Sequence, residues 1–213
     1  MPIVLLVHCI DSIPSLCNRA THSPIQSELT ITTKNTTTIA MAPTKVVIIH
    51  GGELAKDVAE QIEALKPSDD FEVTLRCASE RPKTLMEYVK KGDDANGDNK
   101  TVLCFAMQTI ENEGPTEEGG SVLRFFKRKT HPTDLLESPS LSFAVLGLGD
   151  SNLLLDRQTT GAKDCNEVAK QLDSRLEALG ATRLCPLGMA DERTGLTEVD
   201  PWIKETFWKS LGK

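Results

Sequence analysis

Phe143-Ala-Val-Leu-Gly-Leu-Gly-Asp-Ser-Asn152 carries the clearest structural signal in this chain. Four apolar residues in a row, followed by a glycine-rich turn, are typical of a parallel strand that is covered on both faces. Glycines at the end of such a strand let the backbone approach a ligand closely, and in open α/β sheets ligands bind at that edge. A plain strand-to-helix turn uses the same residue types, so the pattern alone leaves both interpretations open.

Apolar runs and amphipathic segments alternate on both sides of this stretch. The predicted strands are Val46–Ile49, Phe71–Cys77, Thr101–Met107, Phe143–Leu146 and Thr182–Pro186. The predicted helices are Glu53–Leu65, Pro82–Lys90, a segment around Val122–Phe126, Cys165–Leu179 and Val199–Leu211. Strands that alternate with helices predict an α/β fold, a three-layer α/β/α sandwich with a five-stranded parallel sheet in the order 2-1-3-4-5.

Composition restricts the possible functions of the chain. Its 213 residues, 39% hydrophobic and 26% charged, are enough for one domain with a full core. A net charge of -7 argues against a nucleic-acid-binding surface and favours basic protein partners. The six cysteines form no C-x-x-C pair, which favours a reducing compartment, the cytoplasm. No His/Cys cluster has the spacing of metal ligands, so we expect no metal.

The first 40 residues differ from the rest, being rich in Ser and Thr and poor in charge. We predict a disordered leader at 1–44 and one domain at 45–213, and we expect a monomer. The apolar run Ile3–Val7 is too short to span a bilayer, so we expect no membrane association. Two alternatives stay open, namely an organellar transit segment and a true translation start at Met41.

Three loops follow the first, third and fourth predicted strands: His50–Ala55, Gln108–Pro115 and Gly147–Leu155. In the strand order 2-1-3-4-5 they open at the same edge of the sheet, where one ligand could contact all of them. The first loop precedes a helix N-terminus, whose free N–H groups and dipole attract phosphate. Gly51 and Gly52 are equally consistent with a simple turn.

Several motifs together resemble a known family. They are Gly147-Leu-Gly-Asp-Ser-Asn152, the segment Ala162–Ala181, and Gly188–Leu196 followed by Pro201-Trp202. This set resembles the FMN-binding, flavodoxin-like domain of diflavin reductases, over most of Lys45–Lys213. The resemblance implies a flavodoxin-like electron carrier without acid–base or nucleophilic residues of its own, in which the protein positions the flavin and tunes its reduced states.

The resemblance also implies a set of cofactor-binding residues at the carboxyl edge of the sheet. The FMN phosphate would be held by His50, Gly51, Gly52, Glu53, Leu54 and Ala55. Gln108 and Thr109 would flank the flavin ring on one side. The other side would be lined by Leu148, Gly149, Asp150, Ser151, Asn152 and Leu153, with Asp191 close to the site.

The chain departs from the family pattern in the first and third loops. The phosphate loop of the family is built from hydroxyl residues and glycine, whereas Gly-Gly-Glu-Leu-Ala at 51–55 has no hydroxyl, and Glu53 adds a negative charge. Leu153 stands where many relatives stack an aromatic ring on the flavin, which gives up about 1 kcal/mol of stacking. A second hypothesis is therefore a flavodoxin fold that has lost FMN and serves as a binding or scaffold module.

The expected partners follow from the length and charge of the chain. Diflavin reductases continue into a module for FAD and NADPH, whereas this chain ends after its fifth predicted helix, so we expect a separate flavoprotein reductase as donor and a protein as acceptor. Acidic residues beside the predicted ring, favoured here as a docking rim for a basic redox partner, are Glu111, Glu113, Glu117 and Glu118.

Overall fold

Seven strands build the sheet in the computed structural model, which describes residues 43–91, 100–110, 114–152 and 165–212. All of these residues lie in one compact unit. Of the leader predicted at 1–44, residues 1–42 lie outside the described residues, and Thr44 already belongs to the first strand. The strands are β1 (Thr44–Gly51), β2 (Phe71–Cys77), β3 (Thr101–Ile110), β4 (Gly114–Pro115), β5 (Leu141–Gly149), β6 (Thr182–Arg183) and β7 (Gly188–Asp191).

The strand order is β2-β1-β3-β5-β6, and every neighbouring pair along it is parallel. This topology confirms the predicted flavodoxin-like sheet in the order 2-1-3-4-5. The fifth predicted strand, Thr182–Pro186, is wrong in its bounds, because β6 ends at Arg183 and β7 resumes the pairing with β5 further along. Pro186 has no N–H to donate, which is consistent with a break in the ladder there. The short β4, antiparallel to β3, was not predicted.

Five helical segments cover the two faces of the sheet in the described part of the chain. They are α1 (Glu53–Ala64), α2 (Met86–Lys91, after a 3-10 turn at Pro82–Leu85), α3 (Glu117–Phe126), α4 (Glu167–Ala178) and α5 (Val199–Pro201, Trp202–Trp208 and Lys209–Leu211). The middle of α5 has π-helical geometry. None of the described helices is long and apolar enough to cross a membrane.

Two apolar clusters, one on each face of the sheet, form the core. One packs the strands against α3 and α4 and includes Phe105, Phe126 and Phe143. The other packs them against α1 and α5, where Trp202 and Trp208 are buried. The Trp208 indole donates to the carbonyl of Ile62 at 3.2 Å, so a polar bond also joins α5 to α1.

An ion-pair cluster joins β6 to α4. The Arg183 guanidinium donates to both carboxylate oxygens of Asp173, at 3.0 and 2.7 Å, and to both oxygens of Glu177. Only 7% of Asp173 is exposed, so its charge depends on this partner.

We expect Arg183→Met to lower the free energy of unfolding by about 2 kcal/mol, because it leaves the Asp173 carboxylate buried without its cation. Urea titration measures the change. The control is Lys204→Met, whose exposed pair with Asp200 is worth less than about 0.5 kcal/mol. Equal losses in the two variants would contradict the expectation.

Candidate functional site

The carboxyl ends of β1, β3, β5 and β7 meet at one edge of the sheet. Gly51 lies beside Met107, Gln108 beside Leu148, and Gly149 beside Asp191 in the strand register. The described parts of the three predicted loops therefore lie side by side, as the strand order requires.

The first connection is very short. β1 ends at Gly51 and α1 begins at Glu53, so Gly52 alone joins them, with a φ of 117° that favours glycine. Glu53 is exposed, whereas Leu54 is half-buried and Ala55 is fully buried against the core. The side chains of Leu54 and Ala55, which the resemblance placed at the phosphate, thus belong to the packing of α1.

The side chains of Gln108 and Thr116 cover Gly52. A methyl group placed on Gly52 would overlap Gln108 Oε1 and lie 3.0 Å from both Gln108 Cβ and Thr116 Cγ2. A methyl group on Gly51 would lie 2.8 Å from the Cα of Gly119, so the end of β1 rests directly on the first turn of α3. Little room is left on this side of the connection.

His50 lies half-buried at the end of β1, and its carbonyl accepts a hydrogen bond from the N–H of Ala78 at 2.8 Å. Burial, and next the positive charge of Lys56, lower the pKa of the imidazole against the opposing effect of Glu118. The folded chain therefore favours neutral His50 at neutral pH, and the side chain supplies no fixed positive charge.

Thr109 faces the interior. It is 4% exposed, and its hydroxyl accepts a hydrogen bond from the N–H of Val168 at 3.3 Å, which caps the first turn of α4. Only the backbone of Thr109 is therefore placed to flank a ligand. Gln108, one residue earlier, points the other way and is half-buried at the edge.

The glycines of the third loop pack against the segment that opens α4. A methyl group on Gly149 would overlap the carbonyl oxygen of Cys165 and lie 2.5 Å from its carbonyl carbon, and one on Gly147 would lie 2.6 Å from Asn166 Oδ1. Leu148, between them, is fully buried on the opposite face. The start of α4 therefore requires glycine at both positions for packing, and a ligand contact with their backbone stays a prediction.

Asp191 fixes the start of the third loop. Its Oδ1 accepts hydrogen bonds from the N–H groups of Ser151 and Arg193, both at 3.0 Å. Burial acts to raise the pKa of Asp191, but the hydrogen bonds from Ser151 and Arg193 outweigh it and lower the pKa. The sequence expectation placed Asp191 near this loop, and the structure brings the two together.

The remaining residues of the third loop are accessible. Asp150 Oδ1 accepts from the N–H of Asn152 at 2.8 Å, which closes a tight turn, and Asn152 is exposed. Leu153 lies outside the described residues. Residues 150–152 therefore lie just past the carboxyl end of β5, on the side of the site assigned to the flavin ring.

Sequence reasoning missed two residues of this edge. Thr116 caps α3, accepting from the N–H of Gly119 at 3.1 Å, and its methyl group packs on Gly52. The signal for it was present, since a Thr directly before two acidic residues is typical of a helix start. Ile110 is 42% exposed just after Gln108, and only the structure shows it at the surface.

The predicted acidic rim is described in part. Glu117 is exposed and Glu118 half-buried in the first turn of α3, and the charge of Glu118 acts on His50. Glu111 and Glu113 lie outside the described residues. Two of the four acids therefore lie beside the end of β1, where they also interact favourably with the helix dipole.

The two ends of the site differ in how they fit FMN. On the ring side, residues 150–152 lie just past the end of β5, where Asp191 holds the N–H of Ser151. On the phosphate side, the connection is one residue long and is covered by Gln108 and Thr116. The described residues fit the flavin ring better than the phosphate.

Comparison with known proteins agrees with this fold. The flavodoxin family model matches residues 53–202. Methionine synthase reductase of Bos taurus is 33% identical over 160 residues, which cover 75% of this chain and 20% of that protein. NADPH-dependent diflavin oxidoreductase 1 of Danio rerio is 29% identical over 171 residues, 78% of this chain and 25% of that protein. The chain thus spans a fifth to a quarter of these relatives.

Solved structures show the same architecture. A mutant of flavodoxin from Pseudomonas aeruginosa superposes with a TM-score of 0.55 at 18% identity, covering 79% of this chain and 99% of that one. The family match covers well over half of the sequence, and the sheet order agrees with it. The chain therefore belongs to the flavodoxin family, and its relationship to the diflavin reductases indicates FMN as its cofactor.

Proposed function

We propose that this chain is an FMN-dependent electron carrier that receives electrons from a separate flavoprotein reductase and passes them to an acceptor protein. The observation that carries the proposal is the bond from Ser151 N–H to Asp191, which holds the third loop beside Gln108 at the carboxyl edge. The relatives are themselves named as reductases, which supports an electron-transfer role.

In this proposal, the flavin ring lies between Gln108, with the backbone of Thr109, and residues 150–152. The protein binds and orients the ring, and its nearby charges set how stable the reduced cofactor is. We place this exchange in the cytoplasm, because the described cysteines at 77, 104 and 185 form no disulfide and a reducing compartment keeps thiols reduced.

We expect FMN added to the full-length chain to show a perturbed absorption band and quenched fluorescence, because the third loop offers polar contacts to the ring. Asp191→Ala should weaken FMN binding about tenfold, since it releases the N–H of Ser151 from its anchor. The control is Asp69→Ala, at an exposed position just before the amino end of β2 and thus at the opposite edge of the sheet, which should leave the affinity unchanged.

An unchanged flavin spectrum at high micromolar FMN would contradict the carrier proposal. That result would favour the second hypothesis, a flavodoxin fold that serves as a binding or scaffold module. Equal FMN affinities for the native chain and Asp191→Ala would instead show that the flavin ring does not contact the third loop.

A further inference from the structure

We propose that Gln108 keeps phosphate away from the N-terminus of α1, so that this chain binds riboflavin about as tightly as FMN. Riboflavin has the same ring and ribityl chain as FMN but lacks the phosphate. The inference rests on the proposed function, because it concerns the same flavin site and deepens its specificity.

The β1–α1 connection is unusually short for a phosphate-binding loop. A loop that surrounds a phosphate needs several consecutive backbone N–H groups around a concave space. Here one residue, Gly52, separates the last strand residue from the first helix residue. The loop itself therefore adds only one residue of backbone to the free N–H groups in the first turn of α1.

Side chains already occupy the space beside Gly52 into which a Cβ would project. The Gln108 carboxamide lies where even a methyl group on Gly52 would overlap its oxygen, and the Thr116 methyl group closes the other side. The Thr116 hydroxyl is held by the N–H of Gly119, so this wall is part of the capped start of α3. A phosphate group is larger than a methyl group and has no room there while Gln108 keeps this position.

The start of α1 also carries a negative charge. Glu53 is an exposed carboxylate in the first turn of α1, where it compensates the positive end of the helix dipole. Glu118 adds a second negative charge near His50, which stays neutral at neutral pH, and the charge of nearby Lys56 is paired with Glu60 at 3.9 Å. The helix end therefore carries its own anion, and a phosphate dianion brought close to it would be repelled by Glu53.

The test compares two ligands on the full-length protein. Fluorescence titration gives Kd for FMN and for riboflavin. Because both ligands carry the same ring, a change in ring contacts alters both Kd values by the same factor and leaves their ratio unchanged. We expect the native ratio of riboflavin Kd to FMN Kd to lie within about threefold of one.

Removing the obstruction should create a preference for FMN. Gln108→Ala opens the space at the helix N-terminus, and we expect it to raise the ratio at least about threefold. Glu53→Thr removes the competing charge and adds a hydroxyl donor, so it should raise the ratio as well. The matched control is Gln171→Ala on α4, whose side chain bonds Lys127 and Glu167 and lies on another surface.

The outcomes separate this inference from the proposed function. A native preference for FMN of more than about tenfold would overturn the inference and leave the carrier function standing. An unchanged ratio in folded Gln108→Ala would overturn the role of Gln108. If that variant does not fold, Glu53→Thr decides, because Glu53 is exposed, and an unchanged ratio there overturns the inference. Binding of neither flavin would overturn both.

Discussion

Gly149→Ala should destabilise the folded chain by about 3 kcal/mol or more, at the upper end of the cost of overpacking. The added methyl group would overlap the carbonyl oxygen of Cys165 and lie 2.5 Å from its carbonyl carbon. Both are backbone atoms in the turn that opens α4, so relief requires moving that turn and the helix behind it. The effect should be present without any flavin.

A graded series of glycine variants tests the packing explanation by urea unfolding. Gly147→Ala should lower the free energy of unfolding by less than Gly149→Ala does. One close neighbour of Gly147 is the side chain of Asn166, which can move more easily than a backbone carbonyl. Gly212→Ala is the control, since its nearest atoms would lie 3.9 and 4.0 Å away, and we expect a change within about 0.5 kcal/mol. If Gly149→Ala is as stable as Gly212→Ala, the loop glycine does not serve helix packing.

Reversing the acids of α3 should strongly slow electron delivery from a reductase. Glu117 and Glu118 lie in the first turn of α3 beside the end of β1, and the exposed Ile110 lies on the neighbouring strand. An acidic rim around an apolar contact suits a basic partner surface. With a purified NADPH-dependent flavoprotein reductase as donor, we expect Glu117→Lys/Glu118→Lys to slow bleaching of the FMN band about tenfold at low salt.

Salt and a charge-matched control sharpen this experiment. Raising the ionic strength should lower the rate of FMN bleaching in the native chain, because salt screens the attraction between the acids and the reductase. The rate of the double variant, which lacks that attraction, should stay nearly unchanged. Glu63→Lys/Glu205→Lys has the same charge change on exposed positions of α1 and α5 and should keep the native rate. NADPH without the reductase should bleach the flavin negligibly. A rate insensitive to both salt and the reversal would place docking on another surface.

The strand and helix pattern was predictable because its signal is local. Buried parallel strands are continuous apolar runs, and helices repeat their apolar residues along one face, so Phe71–Cys77 was predicted with the bounds that the structure shows. The order of the parallel strands then follows from the few connections that this fold class allows. Asp191 was likewise placed near the third loop by its motif, and the structure brings it to Ser151.

The bounds of β1 depend on its neighbours. The predicted strand ended at Ile49, but β2 pairs with His50 and β3 pairs with Gly51, so the strand extends two residues and shortens the connection to Gly52. No local pattern reports how far a partner strand continues. The contact of the Gln108 side chain with Gly52 could not be predicted from the sequence either, because the two residues are far apart along the chain.

The amino-acid pattern alone therefore determined the sheet, its order and the edge at which the three loops meet, since these depend on periodicity and on the handedness of short connections. Tertiary structure alone decided what each loop residue does there. Gly149 packs against Cys165 and Thr109 caps α4, because the helices of a close-packed domain compete with a ligand for the same backbone groups. The residue type indicates that a position is structurally constrained. Only its neighbours in space show whether it serves helix packing, helix capping or ligand binding.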